Sequence, residues 1–300
     1  MNFLYSCTLL LFLIKLLKCY KLVDTSGGTK LQPRTNSRTR GNLKALPHLK
    51  DNYYYCGENK VALVTGAGRG IGREIAKTLA NSVSHIVCLS RSQKSCDLVV
   101  DELKAMGCDA SGYGVNFEVK EEISELMKNI LSKHETIDIL VNNAGIIKDN
   151  LFLRMSDKEW YDVLNVNLNA LFHVTQPVAK RMLTNRYGRI INISSISGIV
   201  GNTGQANYAS SKGAVISFTK TLAKELSPKN ITVNAIAPGY IISDMTNSLG
   251  DEIRKKVIER TFVGRLGTQK DIANMVGYIA SEAASYITGM VFTVDGGLTL

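Results

Sequence analysis

From Val61 onward the chain alternates between short apolar runs and longer amphipathic stretches, and that alternation leaves few folds open. "VALVT" (61–65) is apolar, partly β-branched and followed by glycines, as a buried strand would be. "IGREIAKTLANS" then places apolar residues at 71, 75, 76 and 79, the spacing of one helix face. "HIVCLS" (85–90) reads as a second strand, with an amphipathic stretch after it to about Met106. The pattern continues through "DILVN" (138–142), "GRIINISS" (188–195), "ITVNAIAP" (231–238) and "MVFTV" (290–294). Helical segments are expected near 119–133, 157–184, 204–227 and 269–281, one of them opened by the Ser-x-x-Glu capping box of "SDKEW" (156–160). With a third strand ahead of Asn116, seven strands are expected. Apolar strands separated by amphipathic helices call for a parallel sheet covered on both faces, a doubly wound α/β architecture. No linker or composition shift interrupts 61–300, so this stretch is expected to be one domain.

The first sixty residues read differently. The chain carries a formal net charge of +10, but ten of its 36 Lys and Arg and only three of its 26 Asp and Glu lie in 1–60. What remains over 61–300 is 26 basic and 23 acidic residues, a net of +3, which argues against nucleic-acid binding by the body. "LLLFLIKLLK" (9–18) is apolar but interrupted by Lys15, too short and broken for a comfortable membrane span. It resembles the apolar part of a secretory signal. The next forty residues are basic, acid-poor and rich in Ser, Thr and Asn, as a transit peptide is. Together they resemble the two-part leader of proteins sent to a secondary plastid such as an apicoplast, with no stable membrane association of the mature protein. A plain signal peptide, a membrane anchor and a mitochondrial leader are the other readings.

Six cysteines add no framework. Cys7, Cys19 and Cys56 lie in or just after the leader, and Cys88, Cys96 and Cys108 have no CxxC spacing. His48, His85, His134 and His173 have no metal-ligand spacing, so no metal is expected.

The chemistry-bearing residues cluster where strands end. After the first strand, "TGAGRGIG" (65–72) fails the GxGxxG fingerprint and fits Gly66-xxx-Gly70-x-Gly72 instead. Missing side chains let a pyrophosphate approach the backbone, and the following helix N-terminus offers amides and a positive dipole end. The second strand ends in Ser90 and Arg91, where an enzyme selecting NAD would place an acid on the ribose hydroxyl. A guanidinium suits a 2′-phosphate, and Arg69 could assist, which points to NADPH/NADP+. "NNAG" (142–145) closes the fourth strand, and Asn167 sits inside an apolar helical stretch where it needs a partner. "NISS" ends the fifth strand at Ser195, and thirteen residues later comes Tyr208, four places before Lys212. On a helix those two side chains share a face one turn apart. Twelve Tyr and 23 Lys in 300 residues would give roughly one Tyr-x-x-x-Lys pair by chance, and there is one, so its surroundings must decide its meaning.

Those surroundings resemble the short-chain dehydrogenase/reductase family. Gly66-xxx-Gly70-x-Gly72, NNAG, Asn167, Ser195, Tyr208-xxx-Lys212 and Pro238-Gly239 stand in that family's order and spacing over nearly all of 61–300. Within it, "NNAGIIKDNLFLRMSDKEWYDVLNVNL" and "GNTGQANYASSKGAV" look most like the 3-oxoacyl-acyl carrier protein reductases of dissociated fatty-acid synthesis. The resemblance implies a Rossmann sheet and hydride transfer from the nicotinamide of NADPH to a β-keto carbon. In it Tyr208 donates the proton and Lys212 stabilises the phenolate and grips the nicotinamide ribose. Ser195 hydrogen-bonds the carbonyl oxygen, and Asn167 holds a water that returns a proton. It also assigns Ile71, Asn143, Ala144, Gly145 and Ile241 to the cofactor site, together with Asn116 near the adenine, where many members carry Asp. The segment 241–267 looks like a lid over the acyl chain. Arg186 and Lys229 match positions that meet the acidic carrier protein near the mouth. Homotetramers paired through the helices carrying Asn167 and Tyr208 are common in the family. A reductase of another carbonyl substrate, a non-catalytic NADP sensor and a membrane-tethered interaction protein are the alternatives; intact Ser195, Tyr208 and Lys212 argue against the sensor, and the tethered protein would need an uncleaved leader.

Overall fold

The computed structural model describes residues 56, 57, 59–242 and 250–300. The leader therefore lies almost wholly outside the described residues, and so do residues 243–249 of the expected lid. In chain order the body runs β1 (Val61–Thr65), α1 (Gly70–Leu79), β2 (His85–Ser90), α2 (Gln93–Ala105), β3 (Asp109–Gly114), α3 (Lys120–Lys133) and β4 (Ile139–Asn142). It continues with α4 (Asp157–Leu164), a π-helical turn (Asn165–Asn169), α5 (Ala170–Asn185), β5 (Gly188–Ile193) and the short α6 (Ser197–Val200). The last elements are α7 (Ala206–Leu226), β6 (Ile231–Pro238), α8 (Asp251–Arg260), α9 (Gln269–Ala280) and β7 (Val291–Val294).

The seven strands form one parallel sheet in the order β3-β2-β1-β4-β5-β6-β7. Alternation along each strand feeds two cores, one per face. In β1, Ala62 and Val64 point to the side covered by Ile75 and Leu79 of α1, Leu103 of α2 and Ile272 and Val276 of α9. Leu63 points to the other side, against Met127 and Ile130 of α3, Val174 and Val178 of α5 and Leu226 of α7. Each large side chain buried this way contributes about 1.5–3 kcal/mol, so neither face can be left uncovered. The expected doubly wound Rossmann architecture is the one observed.

Helix starts follow local chemistry. Ser156 and Glu159 form the capping box of α4, and Thr268 with Asp271 forms a second at α9. Strand β3, "DASGYG", carries little apolar signal because it is the sheet edge and half-exposed. The helical stretch expected over 157–184 is broken at Asn165–Asn169 into a π turn between α4 and α5. Such turns mark sites where the backbone must be re-aimed.

One boundary moves. The body was expected to begin at residue 61, but Cys56 is 1% exposed within the core that holds Ala62 and Ile75. Ser82 Oγ donates to its thiol at 3.5 Å. The Lys60 ammonium pairs at 3.2 Å with Asp138, a buried carboxylate that would otherwise lack a counter-charge. The folded unit therefore includes residues 56, 57, 59 and 60. No helix among the described residues is long and apolar enough to cross a membrane.

Candidate active site

The C-terminal ends of β1, β2, β4, β5 and β6 open on one edge of the sheet, where sheets of this topology bind ligands. The glycine turn after β1 is built for close approach. Gly66 has φ +67, and a Cβ there would stand 2.8 Å from Asn143 Nδ2 and 3.0 Å from Ala144 Cα. Any side chain at Gly72 would drive into the Gly66 carbonyl and Asn143. Asn143 holds the turn by donating to the carbonyls of Thr65 (3.0 Å) and Gly66 (3.2 Å). Ala144 N–H donates to Thr65 Oγ1 at 3.0 Å, so NNAG clamps the turn across β1 and β4.

Helix α1 starts at Gly70 with Arg69 in the cap position; no side chain caps it, and its first turn has no acid. Nothing stands within 4 Å of a Cβ built on Gly70. Open amides, a positive dipole end and no local carboxylate suit a pyrophosphate. Ser90 packs against this turn, since a Cβ on Gly68 would lie 2.5 Å from Ser90 Oγ. Arg91 follows in an exposed position. Val115 N–H donates to Ser90 O at 2.9 Å, which sets Asn116 beside it. Asn116 Oδ1 accepts from Glu118 N–H at 3.1 Å and organises that turn. Gly239, after β6, donates its N–H to Val294 O at 3.0 Å, and Ile241 is buried. These residues fit NADPH: a phosphate cradle, a guanidinium instead of an acid at the end of β2, and lysine and serine at the far end of the groove.

The catalytic candidates come together. Tyr208 and Lys212 lie one turn apart on α7, the ammonium 5.8 Å from the phenol ring centroid. Lys212 is 4% exposed and donates to Ile193 O at 2.8 Å. Burial pushes its pKa down to about 8. Ser195 is buried just past β5; its Oγ accepts from Ser197 N–H at 3.1 Å and is hydrogen-bonded to the Tyr208 side chain. Burial, reinforced by the Asp149 carboxylate and opposed by that Ser195 bond, pushes Tyr208 up to about 12. At neutral pH the phenol therefore keeps its proton and the lysine is mostly an ammonium, the states required of an acid and its electrostatic support. The close fit comes from glycine: a Cβ at Gly198 would lie 2.6 Å from the Lys212 carbonyl carbon.

Asn167, 1% exposed, sits in the π turn. Its amide donates to Ile146 O (3.1 Å) and Ser211 Oγ (3.1 Å) and accepts from Ile146 N–H (2.8 Å). Both amide hydrogens are thus used, so its side chain can hold a water only by accepting at Oδ1. A small cavity beside Lys212 is lined also by Thr65, Asn142 and Asn167. The buried Asn142 Oδ1 has no partner there among the described residues.

Two residues fall elsewhere. Arg186 stands two positions before β5 and Lys229 two before β6, so both lie at the N-terminal edge of the sheet. Ser195 is two positions after β5, with a six-residue strand between, a distance of about 20 Å. Asn230 Nδ2 donates to Arg186 O at 3.2 Å, which joins the two cations' segments into one exposed basic edge. They do not line the mouth of this chain's own site. Of the expected lid, residues 251–260 form α8, which buries none of its side chains.

Gln205, Ser197 and Asp149 were not singled out by spacing. They are adjacent only in three dimensions.

The nucleotide cradle, the Ser-Tyr-Lys cluster and the sheet order define a class, and comparison with known proteins agrees. Residues 60–254 match the short chain dehydrogenase family. The chain belongs to the short-chain dehydrogenase/reductase family. It is 47% identical over 241 residues to the 3-oxoacyl-[acyl-carrier-protein] reductase FabG of Staphylococcus epidermidis, covering 80% of this chain and 99% of that protein. It is also 47% identical over 242 residues to the FabG of Aquifex aeolicus, covering 80% and 98%. Among solved structures, a protein provisionally assigned as a gluconate dehydrogenase from Agrobacterium tumefaciens superposes with a TM-score of 0.79 at 30% identity, covering 82% and 98%.

Proposed function

We propose that this chain reduces 3-oxoacyl groups carried on acyl carrier protein to 3-hydroxyacyl groups, using NADPH, as a step of fatty-acid biosynthesis. The observation that carries the reading is the cluster of Ser195, Tyr208 and Lys212 at the C-terminal sheet edge in a chain 47% identical to reductases of that name. NADPH, when bound, supplies the hydride. Ser195 donates a hydrogen bond to the substrate oxygen as it gains negative charge. Tyr208 delivers its proton to that oxygen, and the Lys212 ammonium stabilises the phenolate left behind. The cavity beside Lys212 gives room for a water held by one hydrogen bond donated to Asn167 Oδ1; its second hydrogen is left to replace the proton that Lys212 passes toward Tyr208. Steady-state kinetics with one β-ketoacyl thioester on acyl carrier protein and on CoA test the substrate class. A lower KM for the carrier form supports the reading, and equal KM values contradict it.

The Arg91 guanidinium selects the cofactor in this account. Arg91→Asp should cut kcat/KM for NADPH about 10- to 100-fold, the loss of one charge-assisted phosphate contact, and leave NADH use no worse. An unchanged NADPH/NADH ratio would remove Arg91 from the site.

The finer features are proposals too. Residues 1–55 act as a signal-plus-transit leader to a plastid, and a fluorescent protein fused behind them should collect in that organelle rather than in the secretory route or mitochondria. The active form is a homotetramer paired through α5 and α7. Phe172 and Leu183, 44% and 36% exposed and three turns apart, put one apolar line on the free face of α5, which supports this pairing. In such an assembly the basic edge of Arg186 and Lys229 would dock carrier protein for a neighbouring copy's site. Arg186→Glu with Lys229→Glu should then raise KM for the carrier-bound substrate about tenfold and spare the CoA thioester. Equal effects on both would exclude docking.

A further inference from the structure

Gln205 ends the loop that leads into α7, three residues before Tyr208, and is 8% exposed. Its side chain joins three segments. Oε1 accepts from Ser197 Oγ at 2.9 Å and from Asn202 Nδ2 at 3.1 Å, while Nε2 donates to Asp149 Oδ2 at 2.9 Å. A second rung runs parallel, with Asn150 N–H donating to Gly204 O at 2.9 Å. The loop after β4 is thereby strapped to the loop that enters α7. The strap continues to the reacting groups, because Ser197 N–H donates to Ser195 Oγ at 3.1 Å. A hydroxyl has one hydrogen and two lone pairs. With one lone pair held by Ser197, the Ser195 hydrogen is left to point at Tyr208 or at a substrate oxygen.

We propose that Gln205 is a positioning residue for Ser195 and Tyr208, anchored on Asp149. It holds the turn after β5 so that the Ser195 hydroxyl stays a donor toward the carbonyl oxygen. The residue type is dictated by its partners. Asp149 is an acceptor and needs a donor, whereas Ser197 Oγ and Asn202 Nδ2 are donors and need an acceptor, and the glutamine amide offers both. A glutamate at 205 would set carboxylate against carboxylate. The role rests on the reductase reading above, since it acts through that reaction's donor and acid.

The test is an amide–carboxylate exchange. Gln205→Ala and Gln205→Glu should each lower kcat about 10- to 100-fold, the cost of a misplaced reacting group, with KM for NADPH unchanged. Asp149→Asn alone should be mild, because an asparagine oxygen still accepts from Gln205. The double variant Gln205→Glu with Asp149→Asn restores a donor facing an acceptor and should recover most of the lost kcat. Near-parental kcat in Gln205→Ala would overturn the proposal, and so would a folded double variant no better than Gln205→Glu alone. A parent that turned over neither carrier- nor CoA-bound β-ketoacyl thioester would overturn the reductase reading, and this role with it.

Discussion

Tyr208→Phe is expected to lose at least about two orders of magnitude in kcat while still binding NADPH, because positioned proton transfer contributes typically ~10²–10⁴-fold. The substitution removes one oxygen and leaves the ring, its packing and the 5.8 Å placement over Lys212. Phenylalanine needs no hydrogen-bond partner, so the half-buried site stays well packed and Tm should hardly move. The pH profile adds a sign. With the Tyr208 pKa raised to about 12, the acid is present throughout the neutral range, so the reduction rate should not fall with rising pH because this group deprotonates. A variant that keeps most of the parental activity would show that the proton comes from elsewhere.

Lys212→Met should lose activity as heavily and gain stability, a pairing that a merely structural lysine would not give. The ammonium is 4% exposed, has one hydrogen bond to Ile193 O, and faces no carboxylate among the described ion pairs. Burial lowers its pKa from 10.5 to about 8. Each unit is worth about 1.4 kcal/mol, so holding this lysine charged costs the free protein about 3 kcal/mol. A depressed lysine pKa means that between about 8 and 10.5 the unfolded chain binds more protons, and stability rises with pH there. The cost is full below pH 8 and gone above 10.5. Methionine matches the length without the charge. The ligand-free variant should therefore melt higher than the parent at pH 7, and the gap should close as pH approaches 10.5. Equal Tm values at pH 7, or a lower one for the variant, would contradict an uncompensated buried charge.

Much of this is legible in the sequence. Three strands, 61–65, 85–90 and 231–238, form over the residues their apolar patterns mark, because a parallel strand buried on both faces reads as a largely apolar run. The Tyr208–Lys212 pair was legible because helical spacing alone puts four-apart residues on one face. Strand β3 was faint because an edge strand needs few apolar residues. The π turn at Asn165–Asn169 left no trace in the periodicity, since one extra residue per turn looks like ordinary helix. Arg186 is the instructive miss. Its place two residues before "GRIINI" already sets it at the N-terminal edge of the sheet, and only the family likeness carried it to the mouth. The Asp149–Gln205–Ser197 strap was beyond sequence reading altogether, because it links residues 56 and 8 positions apart through side-chain geometry.

The central claim is that this site moves a hydride to the β-carbon of a carrier-bound 3-oxoacyl group, and isotope transfer tests it most directly. NADPH deuterated at the transferable position of the nicotinamide would be incubated with the protein and 3-oxobutanoyl-acyl carrier protein, and the product's acyl group examined by mass spectrometry. The product should be a 3-hydroxybutanoyl group carrying one deuterium at C3. No product, or a hydroxy product without deuterium at C3, would contradict it.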